Sequence, residues 1–172
     1  DAARSSQLSQ LENVFRLGEA GLGYAAQQMF NAFVDVANKP QDSSARQSVL
    51  ARVGELAARF TTASAQLDAL QSGVSDQLRS AVGSINSLTT QIADLNRRIA
   101  NVKGTGHTPN ELLDQRDQAI SELSQFVQVT TLAAGDGTVG VFLGGGQKLV
   151  LGGNATTLAA VADAFDPAKL QI

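Results

Sequence analysis

Between Pro40 and Pro109 the chain runs for 68 residues without a proline, and the apolar residues inside that stretch keep a heptad rhythm. Val49, Val53, Leu56, Phe60, Ala63, Leu67, Leu70 and Val74 alternate spacings of four and three, and Leu78, Ala81, Ile85, Leu88, Ile92, Leu95, Ile99 and Val102 resume with three and four. An apolar side chain every 3.5 positions marks one continuous helix carrying a coiled-coil seam of about seven heptads. From Asp42 to Val102 such a helix is a rod of roughly 90 Å. A rod of that length makes a strut rather than the wall of a compact enzyme pocket, so the pattern points to mechanical or assembly work.

Local signals bound this helix. Lys39-Pro40 ends whatever precedes it, because the residue before proline is pushed out of the α region, and Asp42 is a good N-cap. Glu55–Arg59 and Asp94–Arg98 place acid before base at i,i+4, the favourable order. At Val74, Leu78 and Ala81 the spacing reads 3, 4, 4, 3, a stutter that locally unwinds a coiled coil, and Gly73 and Gly83 bracket it. Any bend or change of partner along the helix is expected there, with close packing by a neighbour as the first explanation for the two glycines and a hinge as the second.

Two shorter helices are expected ahead of it. One covers about residues 5–17, with Leu8, Leu11 and Phe15 on one face and Glu12–Arg16 as an i,i+4 pair. Gly18, Gly21 and Gly23 then read as a loop, and a helix over residues 24–38 buries Met29, Phe30, Phe33, Val36 and Ala37. After the long helix, Lys103 to His107 with Gly104 and Gly106 reads as a turn. Thr108-Pro109-Asn110-Glu111 follows as a capping box, with Thr108 at N-cap, Pro109 at N1 and Glu111 at N3. The helix it opens runs to about Phe126, with Leu113, Ile120, Leu123 and Val127 sharing a face, antiparallel to the end of the long helix.

From Val127 the period switches to two. Val127, Val129 and Thr131, a Gly135-Asp136-Gly137 turn, Val139, Val141 and Leu143, a turn at residues 144–146, and a strand over residues 148–151 form a three-stranded meander. The tail, through Thr156 to Ala162 and Leu170 to Ile172, reads as further strands cut off by the chain end. The fold class is therefore mainly α with a small β part: an elongated antiparallel helical bundle or coiled coil with one helix of about 60 residues, followed by a β-meander. Residues 1–127 read as a helical rod domain and 128–172 as the start of an outer β domain.

The composition fits a helical bundle. Hydrophobic residues make up 43% and aromatic ones only 5%, with no Trp and one Tyr. A net charge of −3 gives no electrostatic footprint for nucleic acid or an acidic membrane. The absence of cysteine removes disulfides, thiolate metal sites and thiol nucleophiles. No apolar run approaches the roughly 20 residues that span a bilayer. No signal peptide is seen, and a start at Asp1 without Met reads as a fragment or a processed product.

Catalytic, cofactor and metal chemistry find no foothold. Gly135, Gly137 and Gly140 match G-x-G-x-x-G, but a dinucleotide fingerprint needs a helix after its glycines, and Val141-Phe142-Leu143 continues a strand. His107, the only histidine, sits in a Gly/Thr/Pro turn and reads as an exposed turn residue rather than a base. Glu111, Asp114 and Asp117 share a helix with Arg116. A solvated, ion-paired face explains them better than the paired carboxylates of a glycosidase. Arg116 falls between Leu113 and Ile120 on the apolar face. It reads as a partly buried arginine bonded to a carboxylate or to carbonyls at the turn into the sheet, with a role in structural specificity.

Asn110 to Asp117 (NELLDQRD) resembles the N-D-L-L-D-Q-R-D segment of the first hook-associated protein family, FlgK, found at the hook–filament junction of the bacterial flagellum. Phe30 to Arg46 (FNAFVDVANKPQDSSAR) is similar to that family's F-x-A-L-x-x-L-A-x-N-P-x-D-x-A-A-R. Ile85 to Ile99 (INSLTTQIADLNRRI) is similar to I-N-x-L-x-x-Q-I-A-x-L-N-x-x-I, and Val139 to Val150 (VGVFLGGGQKLV) to a V-x-V-x-L-x-x-G-x-x-L-V hairpin. The stretches cover most of the chain in order. The resemblance implies a non-enzymatic structural adaptor, required for filament assembly and motility, that leaves the cell unfolded through the type III export channel. It implies the hook protein and the second junction protein as neighbours, self-association in a ring, and an export chaperone bound through a terminal segment outside this chain. No cofactor, nucleic acid or membrane partner is implied. The family's terminal helices are missing, so the chain is expected to be a middle fragment. The structural motif carried over comprises Thr108, Pro109, Asn110, Glu111, Leu113, Asp114, Arg116 and Asp117. The alternatives are another secreted coiled-coil protein, such as a type III secretion tip or translocator component, and a glycan hydrolase of the flagellar apparatus.

Overall fold

A computed structural model describes residues 2–104, 109–166 and 169–172. The chain is mainly helical, with one long helix followed by antiparallel strands. Helix α1 spans Ala2–Val14, α2 Leu22–Asn38, α3 Ser43–Lys103 and α4 Asn110–Phe126. Strands β1 (Val129–Ala133), β2 (Val139–Leu143), β3 (Lys148–Leu151) and β4 (Asn154–Ala155) form one antiparallel sheet in the order β1-β2-β3-β4. Strands β5 (Val161–Ala162) and β6 (Leu170–Gln171) pair separately. The meander thus has a fourth strand beyond the three expected, because Gly152-Gly153 turns the chain back on β3. Among the described residues no helix is long and apolar enough to cross a membrane.

The helix signals act largely as read. α2 stops at Asn38 with Lys39 as its C-cap. At the start of α3 the Ser44 amide donates to Asp42 Oδ1 at 2.8 Å, and this bond holds the Asp42 carboxyl below its ordinary value. Glu55 receives Arg59 at 2.6 Å and also Arg52 at 2.9 Å, and the two guanidinium groups lower its pKa. Two expected pairs are replaced. α1 ends at Val14, so Arg16 lies past the helix and donates to Asn13 instead of meeting Glu12 at i,i+4. Asp94 takes Arg97, one residue nearer than Arg98.

The chain divides into two compact units, Asp1–Val74 and Ser75–Ile172. The boundary lies inside α3, between Gly73 and Gly83 and at the stutter, where a change of partner was expected. The change from helix to strand near residue 128 falls within the second unit, so the sheet shares a unit with α4 and the end of α3.

In the first unit the buried apolar side chains are small: Ala25 and Ala32 of α2 and Ala63 of α3. This corrects the expected α2 stripe. Phe30 and Phe33 are half exposed or more and Ala37 is exposed, while Met29 and Val36 are half-buried. Arg59 ties the α1–α2 loop to α3, donating to the carbonyls of Glu19 at 2.8 Å and Gly21 at 3.0 Å.

The second unit has the larger core. Ile85, Ile92 and Ala93 of α3, Ala119 and Leu123 of α4, and Val139, Val141, Leu149 and Val150 of the sheet form one buried cluster, with Leu88, Ile120 and Val129 packed against it.

Candidate functional site

The second unit concentrates its polar tertiary bonds where α3 and α4 meet the hairpin turns of the sheet. Asn96, fully buried on α3, donates from Nδ2 to the Val139 carbonyl and to the Gly152 carbonyl, both at 2.8 Å, and accepts the Val139 amide at 3.1 Å. Its side-chain amide treats Val139 as a neighbouring strand would, pairing with both backbone groups of one residue. Asn86 does the same to Leu158, with bonds of 2.9 and 2.8 Å. Beside Asn86, Thr89 is 1% exposed and turns its hydroxyl onto the Asn86 carbonyl at 3.0 Å. Buried backbone groups left without partners are costly; these two asparagines remove that cost at the start of β2 and beyond β4.

The hairpin tips are seated individually. At the β1–β2 turn Asp136 Oδ1 accepts the amide of Thr138 at 2.9 Å and its hydroxyl at 2.7 Å. Those bonds, led by the backbone amide, hold the Asp136 carboxyl below its ordinary value. Gly137 adopts φ of 92°, and a Cβ there would sit 3.0 Å from Lys103 Cδ and 3.2 Å from Ile99 Cγ2, so the turn rests directly on α3. Lys103 Nζ donates to the Gly135 carbonyl at 3.3 Å, and Arg116 Nη1 to the Gly137 carbonyl at 2.8 Å. At the β3–β4 turn Arg97 lies over Gly153, where a Cβ would come within 2.3 Å of its Cγ, and donates to the Gly153 carbonyl at 2.8 Å.

Of the described residues in the motif at 108–117, only Arg116 reaches this seat, where it meets the Gly135-Asp136-Gly137 turn. It is 7% exposed, as the apolar phase of its position implied, and its partner is a turn carbonyl. Its Nε has no hydrogen-bond partner, with Asp117 Oδ1 at 3.6 Å. Asn110, Glu111, Asp114 and Asp117 lie exposed on α4, Leu113 and Pro109 half-buried. Glu111 accepts from Gln115 at 3.3 Å. The cap register needs correction: α4 begins at Asn110, so Pro109 takes the N-cap position and Glu111 falls in N2, one residue short of a capping box. The Leu112 and Leu113 amides turn to the Pro109 carbonyl at 3.0 and 3.1 Å. Thr108 and His107 lie outside the described residues. Gly135, Gly137 and Gly140 occupy the β1–β2 turn and β2, with a strand following the glycines.

Asn86, Asn96 and Arg97 escaped the sequence reading of sites. Their signal was present: Asn86 and Asn96 sit one position after the seam residues Ile85 and Leu95, inside a helix, where asparagine is a poor former unless something outside repays it. The seat has the chemistry of a fastening. Neutral amides and cations close on backbone carbonyls, and the carboxylates of α4 stay dispersed on its outer face.

Comparisons with known proteins cover nearly the whole chain. The family model for the flagellar hook-associated protein FlgK helical domain matches residues 8–172. The chain is 33% identical over 172 residues to flagellar hook-associated protein 1 of Escherichia coli (strain K12), covering 99% of this chain and 31% of that protein. It is 34% identical over 160 residues to the protein of that name from Bacillus subtilis (strain 168), covering 87% of this chain and 31% of the relative. Among solved structures, the flagellar hook junction protein FlgK from Burkholderia pseudomallei aligns with a TM-score of 0.88 at 39% identity, over 96% of this chain and 29% of that one. The chain thus spans about 31% of the length of the curated relatives.

Proposed function

Because this chain belongs to the family of the flagellar hook-associated protein FlgK helical domain, we propose that it serves as the helical portion of a structural adaptor between hook and filament in the bacterial flagellum. The observation that carries this reading is agreement along almost the full chain at once in sequence, at 33% identity, and in fold, at a TM-score of 0.88. The whole protein acts outside the cell after export. Its neighbours are the hook protein, the second junction protein and further copies of itself, and its export chaperone binds through segments beyond this chain.

The role is mechanical rather than catalytic. Polar side chains that meet the sheet are spent on backbone groups of the turns, which supports a part that carries load between neighbours. The motif of residues 108–117 acts through Arg116, which fastens α4 to the β1–β2 turn. Within this proposal, substitution of Asp114, Asp117 or Asp136 leaves peptidoglycan turnover unchanged.

Deleting the full-length gene in the source bacterium, imaging the cells by electron microscopy and assaying the medium for flagellin tests the adaptor role. Bare hooks with flagellin lost to the medium are expected. Normal filaments on the deleted strain would overturn it.

A further inference from the structure

We propose that Asn86 is a backbone-reading clasp that seats residues 156–160 on α3 as a strap, and that this strap opens without unfolding the core beneath it. The strap joins two separate sheets. The ladder of the four-stranded sheet ends at Ala155, opposite Val150, and the Thr156 amide makes one further bond to the Leu149 carbonyl at 2.7 Å. The β5–β6 pair begins at Val161. Residues 156–160 belong to neither sheet. At their centre Leu158 turns both backbone groups to one side chain: its amide donates to Asn86 Oδ1 at 2.8 Å, and its carbonyl accepts Asn86 Nδ2 at 2.9 Å.

A primary amide carries a donor and an acceptor side by side, the pair that a strand edge offers to one extended residue. The strap answers as a strand would. Thr156, Leu158 and Ala160 are half-buried and alternate with exposed Thr157 and Ala159, the period-two pattern of extended backbone. The clasp touches main chain alone, so it grips any extended residue. Leu158 is the large apolar residue of the inward three, and it packs against the core cluster. Its side chain therefore sets which residue the amide receives, since register follows the apolar pattern.

The turn that carries the clasp is itself tied down, because the Asn86 carbonyl accepts the hydroxyls of Thr89 at 3.0 Å and Thr90 at 2.8 Å. The buried members of the cluster all lie outside the strap, on α3, α4, β2 and β3. Opening the strap removes Leu158 from the edge of the core and leaves those members in place. The whole arrangement lies within the second unit, and the clasp is independent of the adaptor role.

Amide exchange of the full-length protein, followed by mass spectrometry, tests the clasp. Asn86→Ala is expected to speed exchange in peptides covering residues 156–160 at least about tenfold, because two bonds that oppose local opening are lost, while peptides covering residues 139–151 keep their rates. Asn86→Asp retains the acceptor for the Leu158 amide but loses the donor to its carbonyl, and it reads the same opening should the alanine variant fail to fold. Leu158→Met keeps the apolar volume and should leave the strap protected. Unchanged exchange of the strap in both Asn86 variants, acceleration shared equally by residues 139–151, or a tenfold loss in Leu158→Met would overturn the clasp.

Discussion

Ile92 and Phe60 both occupy seam positions of α3, yet Ile92 is completely buried and Phe60 is 57% exposed. The contrast extends to their surroundings. Around Ile92 the seam meets α4 and a four-stranded sheet; Asn96 and Arg97 pin backbone of the sheet and its turns onto the helix, and Asn86 pins Leu158 beyond β4. In the unit of Phe60 the buried apolar side chains among the described residues are alanines, and Leu50, Val53 and Phe60 keep much of their surface. A heptad repeat therefore sets the existence and face of a helix, while the depth of its burial depends on what the rest of the chain brings to that face. The polar residues beside the seam, more than its apolar residues, separate the anchored half from the open one.

The strongest way to break this comparison is to remove the buried amide. Asn96→Leu leaves the Val139 amide and carbonyl and the Gly152 carbonyl unpaired and is expected to cost about 3–5 kcal/mol, read from chemical denaturation. A loss under about 1 kcal/mol would show that the amide fastening is incidental.

Truncating matched seam residues sharpens the contrast directly. Ile92→Ala is expected to cost roughly 2–5 kcal/mol by cavity formation, and Phe60→Ala well under half of that, because much of its ring already meets water. Equal losses would erase the distinction between the halves. Arg116→Ala loses one charge-assisted bond to the Gly137 carbonyl but also removes a buried Nε that makes no hydrogen bond. Its expected cost is about 2 kcal/mol without loss of folding, and an unchanged melting temperature would refute its role as a fastener.

In the open half, Gly54→Ala fills no occupied space and should stabilise by up to about 1 kcal/mol. The smallest effect is in acid. The Asp136 pKa is lowered from an ordinary 3.8 by the Thr138 amide and hydroxyl. A depressed folded-state value means its contribution is complete above about 3.8 and is lost as pH falls toward that folded value. Asp136→Asn should flatten the stability curve below pH 4, and a curve of unchanged slope would contradict this.

Much of this architecture is legible before any coordinates. The proline-free heptads give α3, Lys39-Pro40 and Asp42 give its entry, and the switch to period two at Val127 gives the meander. The stutter marks the place where the compact units divide. Arg116 betrays its burial by its phase between Leu113 and Ile120. What stays hidden depends on tertiary cover. Phe30 and Phe33 look like core on hydropathy, but small residues fill the positions that are enclosed. Asn96 looks like a solvent-facing helix residue until a hairpin arrives to use both ends of its amide. Pro109 fits N1 by preference, and the helix starts one residue later because the Leu112 and Leu113 amides take its carbonyl.

Residue-resolved amide exchange along α3 tests the central claim most directly. The anchored half, Ile85 to Ile99, should exchange at least about tenfold more slowly than Val49 to Phe60, since buried contacts and tertiary bonds raise the free energy of local opening. Protection that is uniform from Val49 to Ile99 would contradict the account.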